Sequence, residues 1–371
     1  MSRTLPFFIV SILVQLVFAT PLGIVPSPLT ITNSMLHWAS LGDSWATGVT
    51  WKKELDYDED HDEVIKCRRS KESYAYQMSQ NDLLFPKQGQ VFKWPACSGS
   101  AFGVMAAQAE QMDEGTSFAT LTIGGNQLGW DNMVQSCIYV PDPLRVICSP
   151  EYPDSAGDCY KAIELTKSKL NNDKEFLKTI PVMIGAIMDR GKAKNRDFQL
   201  YVTNYAHPFN VDPNWCDEQS FGMFWCRPRL TSKLRRAFND IAETLKQKIE
   251  EGVQYFQDND YNGRSLHYVE ISQGFDTHRF CETNHTFEDQ WDDNPNSENV
   301  WLYNPPKPFW VPQMPMQRDV DTWLSEHPEN DVGVGGPPDR PGSVMRPFHP
   351  KTKGFKSMAD NIIGKLTGRS K

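Results

Sequence analysis

Four short apolar runs, each stopped by small or polar residues, punctuate the chain: residues 35–41, 118–123, 198–205 and 266–271. Runs of this length, rich in β-branched and aromatic residues, predict strands. The first runs into Gly42-Asp43-Ser44 and the second into Gly124-Gly125-Asn126. Between the strands the apolar spacing becomes helical. Residues 158–177 predict one helix, continued by 181–191. Residues 230–256 predict the clearest one: Leu234, Phe238, Ile241, Leu245 and Ile249 recur on one face, and Thr231 can cap its start. Residues 353–366 predict a last amphipathic helix. Strands alternating with helices give an α/β fold, a parallel sheet covered on both faces.

Residues 283–347 break this rhythm. They are rich in Pro, Trp, Asp and Asn and contain a Gly-Pro run at 333–342. A stretch this long without an element of its own is usually functional or unstructured. Trp291, Trp301, Trp310 and Trp323 argue against the second, and the segment is expected to pack over the carboxyl end of the sheet and help form a pocket; simple anchoring to the core is the equal alternative. The chain carries no internal repeat and reads as one domain over 30–371 with a loop-rich insertion at 283–347.

The formal net charge of -9 argues against nucleic acid or an anionic membrane as the main partner. Arg3 followed by an apolar run at 7–19, with small residues at its end, reads as a signal peptide over 1–19, too short for a membrane span. The expectation is a secreted, extracellular monomer without a transmembrane segment. Cys67, Cys97, Cys137, Cys148, Cys159, Cys216, Cys226 and Cys281 are an even set in an exported chain, so they are expected as disulfides. No CxxC pair suggests a structural zinc site. The sequon Asn284-His285-Thr286 offers a glycosylation site at Asn284. The 11 Trp can stack on sugars, but core packing is the commoner use.

In open parallel sheets, ligands bind beyond the carboxyl ends of the strands. Gly42-Asp43-Ser44 and Gly124-Gly125-Asn126 both sit at such ends, and adjacency in the sheet would put Ser44 and Asn126 on one rim. Ester hydrolysis needs an attacking hydroxyl, a base and donors for the oxyanion. Ser44 can attack; the N–H groups of Ser44 and Gly99 and the side-chain amide of Asn126 can donate. Each tripeptide alone also makes an ordinary turn, the first with Ser44 as a helix cap. Their order and their places at strand ends give them weight. No HExxH motif, P-loop or GxSxG elbow is present, and Gly333-Val334-Gly335-Gly336 is followed by prolines rather than a helix. The acidic run 56–63 lacks the glycine of a calcium loop and reads as a solvated face.

Four blocks carry a resemblance. They are Leu41-Gly42-Asp43-Ser44 with Gly48; Cys97-Ser98-Gly99-Ser100; Leu121-Thr122-Ile123-Gly124-Gly125-Asn126 with Cys137 beyond; and Phe348-His349-Pro350 with Gly354. Cys67-Arg68-Arg69-Ser70 and the stretch from Asp276 to Cys281 add to them. In these blocks the chain resembles the secreted SGNH (GDSL-like) hydrolases of actinobacteria and fungi, over roughly 36–363. The resemblance implies a flavodoxin-like three-layer α/β/α fold, Ser44 as nucleophile, His349 as base, and Ser44, Gly99 and Asn126 as the oxyanion hole. It also implies a Cys67–Cys97 disulfide. Two positions depart from the pattern. Gln127 replaces the usual Asp, and Arg346 stands where many relatives have the acid that orients the histidine.

Among eight histidines, His349 is preferred as base because it precedes Pro350 at a helix start, on a loop. His278 is second, with a structural role beside Cys281 as its plain reading. His37 and His267 fall within strands and are expected to be buried and hydrogen-bonded; His61 is expected to be solvated. The functional expectation is a serine hydrolase of lipid, short acyl or acetylated carbohydrate esters that needs no cofactor and no metal. The alternative is a catalytically silent carbohydrate-binding protein of the same fold.

Overall fold

The computed structural model describes residues 35–50, 67–82, 84, 89–139, 147–172, 174–222, 226–259, 265–292, 294–305 and 347–369. Five parallel strands form one sheet: β1 (Leu36–Gly42), β2 (Gln90–Lys93), β3 (Phe118–Thr122), β4 (Gln199–Thr203) and β5 (Leu266–Val269). Their order is 2-1-3-4-5, that of doubly wound flavodoxin-like sheets. β3 is buried at every position, as a central strand covered on both faces must be. β2 is the strand that the apolar pattern misses. Its four residues are half-exposed and pair only with β1, so this edge never needed an apolar run.

Helices cover both faces. α1 (Tyr74–Ser79) packs with α6 (Thr352–Thr367); α2 (Met105–Glu110) packs with α4 (Lys174–Lys194), and α4 and α3 (Asp158–Asn172) pack on α5 (Ser232–Asn259). The result is a three-layer α/β/α arrangement. Leu234, Phe238, Ile241, Leu245 and Ile249 of α5 are all buried, each burial contributing roughly 1.5–3 kcal/mol. The Thr231 hydroxyl accepts from the Leu234 N–H at 3.3 Å and caps this helix. One expectation is corrected. The pattern at 158–177 is not a single helix continued from residue 181. It ends at Asn172, and a second helix starts at Lys174 and runs through Pro181.

All eight cysteines are paired: Cys67–Cys97, Cys137–Cys159, Cys148–Cys226 and Cys216–Cys281. A second correction concerns His267. It is buried as expected and stacks on Tyr201, but its Nε2 has no hydrogen-bond partner. Burial, with the Lys365 charge beside it, pushes its pKa down to about 4, so the ring stays neutral. His37 Nδ1 is likewise buried without a hydrogen-bond partner. Among the described residues, no helix is long and apolar enough to cross a membrane. Residues 1–19, the acidic run 56–63, His61, Trp310, Trp323, the 333–342 run and Arg346 lie outside the described residues.

Candidate active site

β1 and β3 are direct neighbours, paired from Trp38–Phe118 to Gly42–Thr122. Their chains therefore leave the sheet at the same level, at the point where the strand order reverses. Gly42 makes the departure possible. Its φ is +130°, and a Cβ there would sit 2.1 Å from the Thr122 carbonyl oxygen. The Gln108 side chain of α2 clamps this turn, accepting from the Gly42 N–H at 2.7 Å and donating to the Gly42 carbonyl at 3.0 Å and to Ser100 Oγ at 3.0 Å. A helical turn, Ser44–Thr47, follows at once. Its cap is Asp43, whose Oδ1 accepts from the Trp45 N–H at 3.0 Å. The capping role considered for Ser44 thus falls to its neighbour, and the Ser44 hydroxyl is left to point elsewhere.

The segment 97–100 is held beside this turn. The Cys97 N–H donates to the Gly42 carbonyl at 3.1 Å, the Ser98 N–H donates to the Cys67 carbonyl at 3.1 Å, and the Cys67–Cys97 disulfide braces the segment. Gly99 has φ +82°, a conformation open to glycine at little cost. Asn126 follows the Gly124-Gly125 turn at the end of β3. Its Nδ2 donates to the Ser100 carbonyl at 2.9 Å, which fixes the amide and leaves a second N–H.

His349 arrives from far away in sequence. Its Nε2 lies 2.6 Å from Ser44 Oγ. The preceding Phe348 anchors it. Phe348 is buried in left-handed backbone (φ +66°) and ringed by Phe209, Phe238, Phe280 and Trp130 at centroid distances of 5.3–6.4 Å. This packing offsets the roughly 1–3 kcal/mol that such backbone costs. Backbone hydrogen bonds then pair 348–351 with 301–303: Phe348 N–H to Tyr303 O, Tyr303 N–H to His349 O, and Lys351 N–H to Trp301 O. The buried Lys351 ammonium donates to the carbonyls of Asp292 and Val300. His278 stands apart from Ser44. It stacks flat on Trp301, with centroids 3.6 Å apart, and its Nδ1 lies 3.1 Å from the Asn299 carbonyl.

Ser44, Gly99, Asn126 and His349 line one open cleft. Its walls are apolar. Leu128, Trp130 and Val134 follow the Gly-Gly-Asn turn; Ile241, Ala242 and Leu245 come from α5; Leu302 and Phe348 come from the paired arms. Trp291 and Trp301 do not line it. Trp291 is buried against Phe221, and Trp301 packs on His278 and Phe275. For these two rings the anchoring alternative describes the packing.

Two residues that hold the site escaped the sequence reading. Tyr205 lies just past β4. Its hydroxyl donates to Asp43 Oδ2 at 2.5 Å and accepts from the Gly125 N–H at 3.1 Å. Burial raises the Asp43 carboxyl to about 7, although the Tyr205 hydroxyl and the Trp45 N–H pull the other way. Burial and the Asp43 charge push the Tyr205 phenol well above its ordinary value. The phenol is therefore the donor in this pair. The other missed residue is the Gln108 clamp. Tyr205 could have been suspected, because it closes the third apolar run, on the rim where Ser44 and Asn126 were expected. Nothing local marks Gln108.

The chain is similar to proteins of known activity. Over 101 residues the chain is 32% identical to a lipase of Streptomyces rimosus, covering 27% of this chain and 34% of the relative. Over 122 residues it is 25% identical to Lipase 1 of Streptomyces coelicolor, covering 32% and 41%. The matched stretches thus span well under half of either relative. The extracellular lipase of S. rimosus superposes with a TM-score of 0.54 at 18% identity, covering 90% of this chain and all of that one. The phospholipase A1 of Streptomyces albidoflavus superposes with 0.54 at 17%, covering 91% and all. The fold is shared with these enzymes. No family model matches the chain.

Proposed function

We propose that the protein is a secreted serine ester hydrolase of the SGNH type. The observation that carries this reading is the 2.6 Å approach of His349 Nε2 to Ser44 Oγ, in a cleft also lined by Gly99 and Asn126. Ser44 Oγ attacks the ester carbonyl while His349 takes its proton. The N–H groups of Ser44 and Gly99 and the Asn126 amide hold the oxyanion. Collapse returns the proton to the leaving alcohol and leaves an acyl-Ser44, which water hydrolyses with His349 again as base. The apolar walls favour a lipophilic acyl group over an acetylated sugar. Sequence similarity to streptomycete lipases and the apolar run at 7–19 support export and action on esters. Asn284, exposed, suits a glycan. The same cleft argues for an enzyme over a silent binding protein, because a binding site has no need of a serine within hydrogen-bond reach of a histidine.

A series of p-nitrophenyl esters of increasing chain length tests the reading, together with fluorophosphonate labelling. Ser44→Ala and His349→Ala should each remove nearly all activity, and the double variant should lose little more. Ser44→Ala should no longer label. His278→Ala should hydrolyse like the parent. Full activity in His349→Ala, or labelling that survives in Ser44→Ala, would refute the assignment.

A further inference from the structure

Three neighbouring strand ends meet at one phenol. Asp43 ends the turn after β1, Gly125 lies in the turn after β3, and Tyr205 follows β4. The Tyr205 hydroxyl bridges the first two, at 2.5 Å and 3.1 Å. Its ring stands edge-on to Trp45, centroids 5.1 Å apart, and touches the Gly125 position, where a Cβ would lie 3.7 Å from it. Asp43 and Gly125 each adjoin one of the groups that must face the same substrate carbonyl. Ser44 is the next residue after Asp43, and Asn126 the next after Gly125.

We propose that Tyr205 is a positioning residue that locks the Gly-Asp-Ser turn to the Gly-Gly-Asn turn, so that Ser44 Oγ and the Asn126 amide address one carbonyl. The proposal rests on the ester-hydrolase reading above. The lock is a phenol donating to a carboxylate, with a backbone N–H donating to the same phenol. It is complete only while Asp43 is ionised: a protonated Asp43 must itself find an acceptor, and its oxygens already face the Tyr205 hydroxyl and the Trp45 N–H. The titratable groups that face Asp43 are Tyr205 from the end of β4, Tyr74 from α1 and, beyond Ser44, His349. Both phenols are pushed up by burial and keep their protons, so among the two phenols and Asp43 it is Asp43, raised to about 7, that changes charge near neutrality.

The test is a set of kcat and KM profiles against pH for the parent, Ser44→Ala, Tyr205→Phe, Asp43→Asn and the Tyr205→Phe/Asp43→Asn pair. Fluorophosphonate titration counts competent sites in every variant that retains Ser44. Tyr205→Phe keeps the ring and its contacts. Its kcat should fall about 10- to 100-fold, the scale of a small misplacement of reacting groups, with KM changed by less than about threefold. The hydroxyl that holds Asp43 down would be gone, so the acid limb of kcat should move to higher pH by about one unit. In Asp43→Asn the part of that limb set by Asp43 should vanish, and adding Tyr205→Phe should not move what remains. A purely structural role for Tyr205 would lower the count of competent sites and leave kcat per site and the limb in place. If Ser44→Ala is inactive while Tyr205→Phe keeps the parental kcat and profile, the positioning role is wrong and the hydrolase reading stands. If Ser44→Ala retains full activity, both fall. Should Tyr205→Phe fail to fold, Asp43→Asn decides alone: parental kcat per site with an unmoved acid limb overturns the proposal.

Discussion

Replacing Asp43 with asparagine separates the charge of the site from its shape. Folding moves this carboxyl from 3.8 to about 7, because burial strips its water and the hydrogen bonds from Tyr205 and Trp45 only partly offset the loss. Between these values the folded chain holds a proton that the unfolded chain has released. Folded-state stability therefore falls as pH rises through this window. The cost is absent below about pH 4 and complete above about pH 7. A shift of this size corresponds to about 4 kcal/mol. The amide that Asp43→Asn introduces does not titrate, so its hydrogen bonding adds only a constant offset. The stability difference between variant and parent should thus change by about 4 kcal/mol in favour of the variant from about pH 4 to about pH 8. Urea unfolding with the disulfides intact measures it, one midpoint series per pH. A difference that stays constant to within about 0.5 kcal/mol, the scale of a neutral surface change, would show that the buried carboxylate carries no such cost. The expected result is a variant that gains stability relative to the parent as pH rises and is less active, the trade common where a site holds an unfavourable charge.

Two other perturbations separate catalysis from architecture. Asn126→Ala should lower kcat about 100-fold with a much smaller rise in KM, since an oxyanion donor acts in the transition state; a pure KM effect would make Asn126 a substrate-positioning group. Arg235→Ala should cost about 3–5 kcal/mol in urea unfolding while activity per folded molecule persists. Arg235 is fully buried, its guanidinium donating to the carbonyls of Leu230, Asn210 and Pro213 and to Asp217 Oδ1. A loss below about 1 kcal/mol would show that the buried cation is not needed there.

Much of this molecule can be read along the chain because its core strands and longest helix are governed by burial. β3 and β4 are nearly fully buried and carry no charged residue, and α5 repeats its core face over the length of the helix. β2 escapes for the same reason, since a half-exposed edge imposes no pattern. Ser44, Gly99, Asn126 and His349 are legible as candidates because their turns need glycine or proline beside them, and such punctuation survives in a one-dimensional string. Gln108 and Tyr205 carry no such mark. Their role comes from reaching across 66 and 162 residues of sequence to Gly42 and Asp43, and ordinary glutamine and tyrosine say nothing of that.

The two halves of the candidate site are held by different physics. Ser44, Gly99 and Asn126 ride on turns at the ends of paired strands, or on a segment tied to one by the hydrogen bond from the Cys97 N–H to the Gly42 carbonyl, so the sheet itself sets their spacing. His349 has no strand beneath it. Its place depends on the ring of aromatic side chains around Phe348, on three backbone hydrogen bonds to 301–303, and on the Lys351 ammonium buried among carbonyls. A buried ammonium is costly unless its hydrogen bonds are met, so Lys351 holds this arm only where the carbonyls of Asp292 and Val300 converge. That makes the anchor specific to one register. A slip of one residue would strand the charge and pull Phe348 from its cage, and His349 would leave Ser44. A histidine that meets a serine 305 residues before it in the chain needs such a register lock more than it needs added stability.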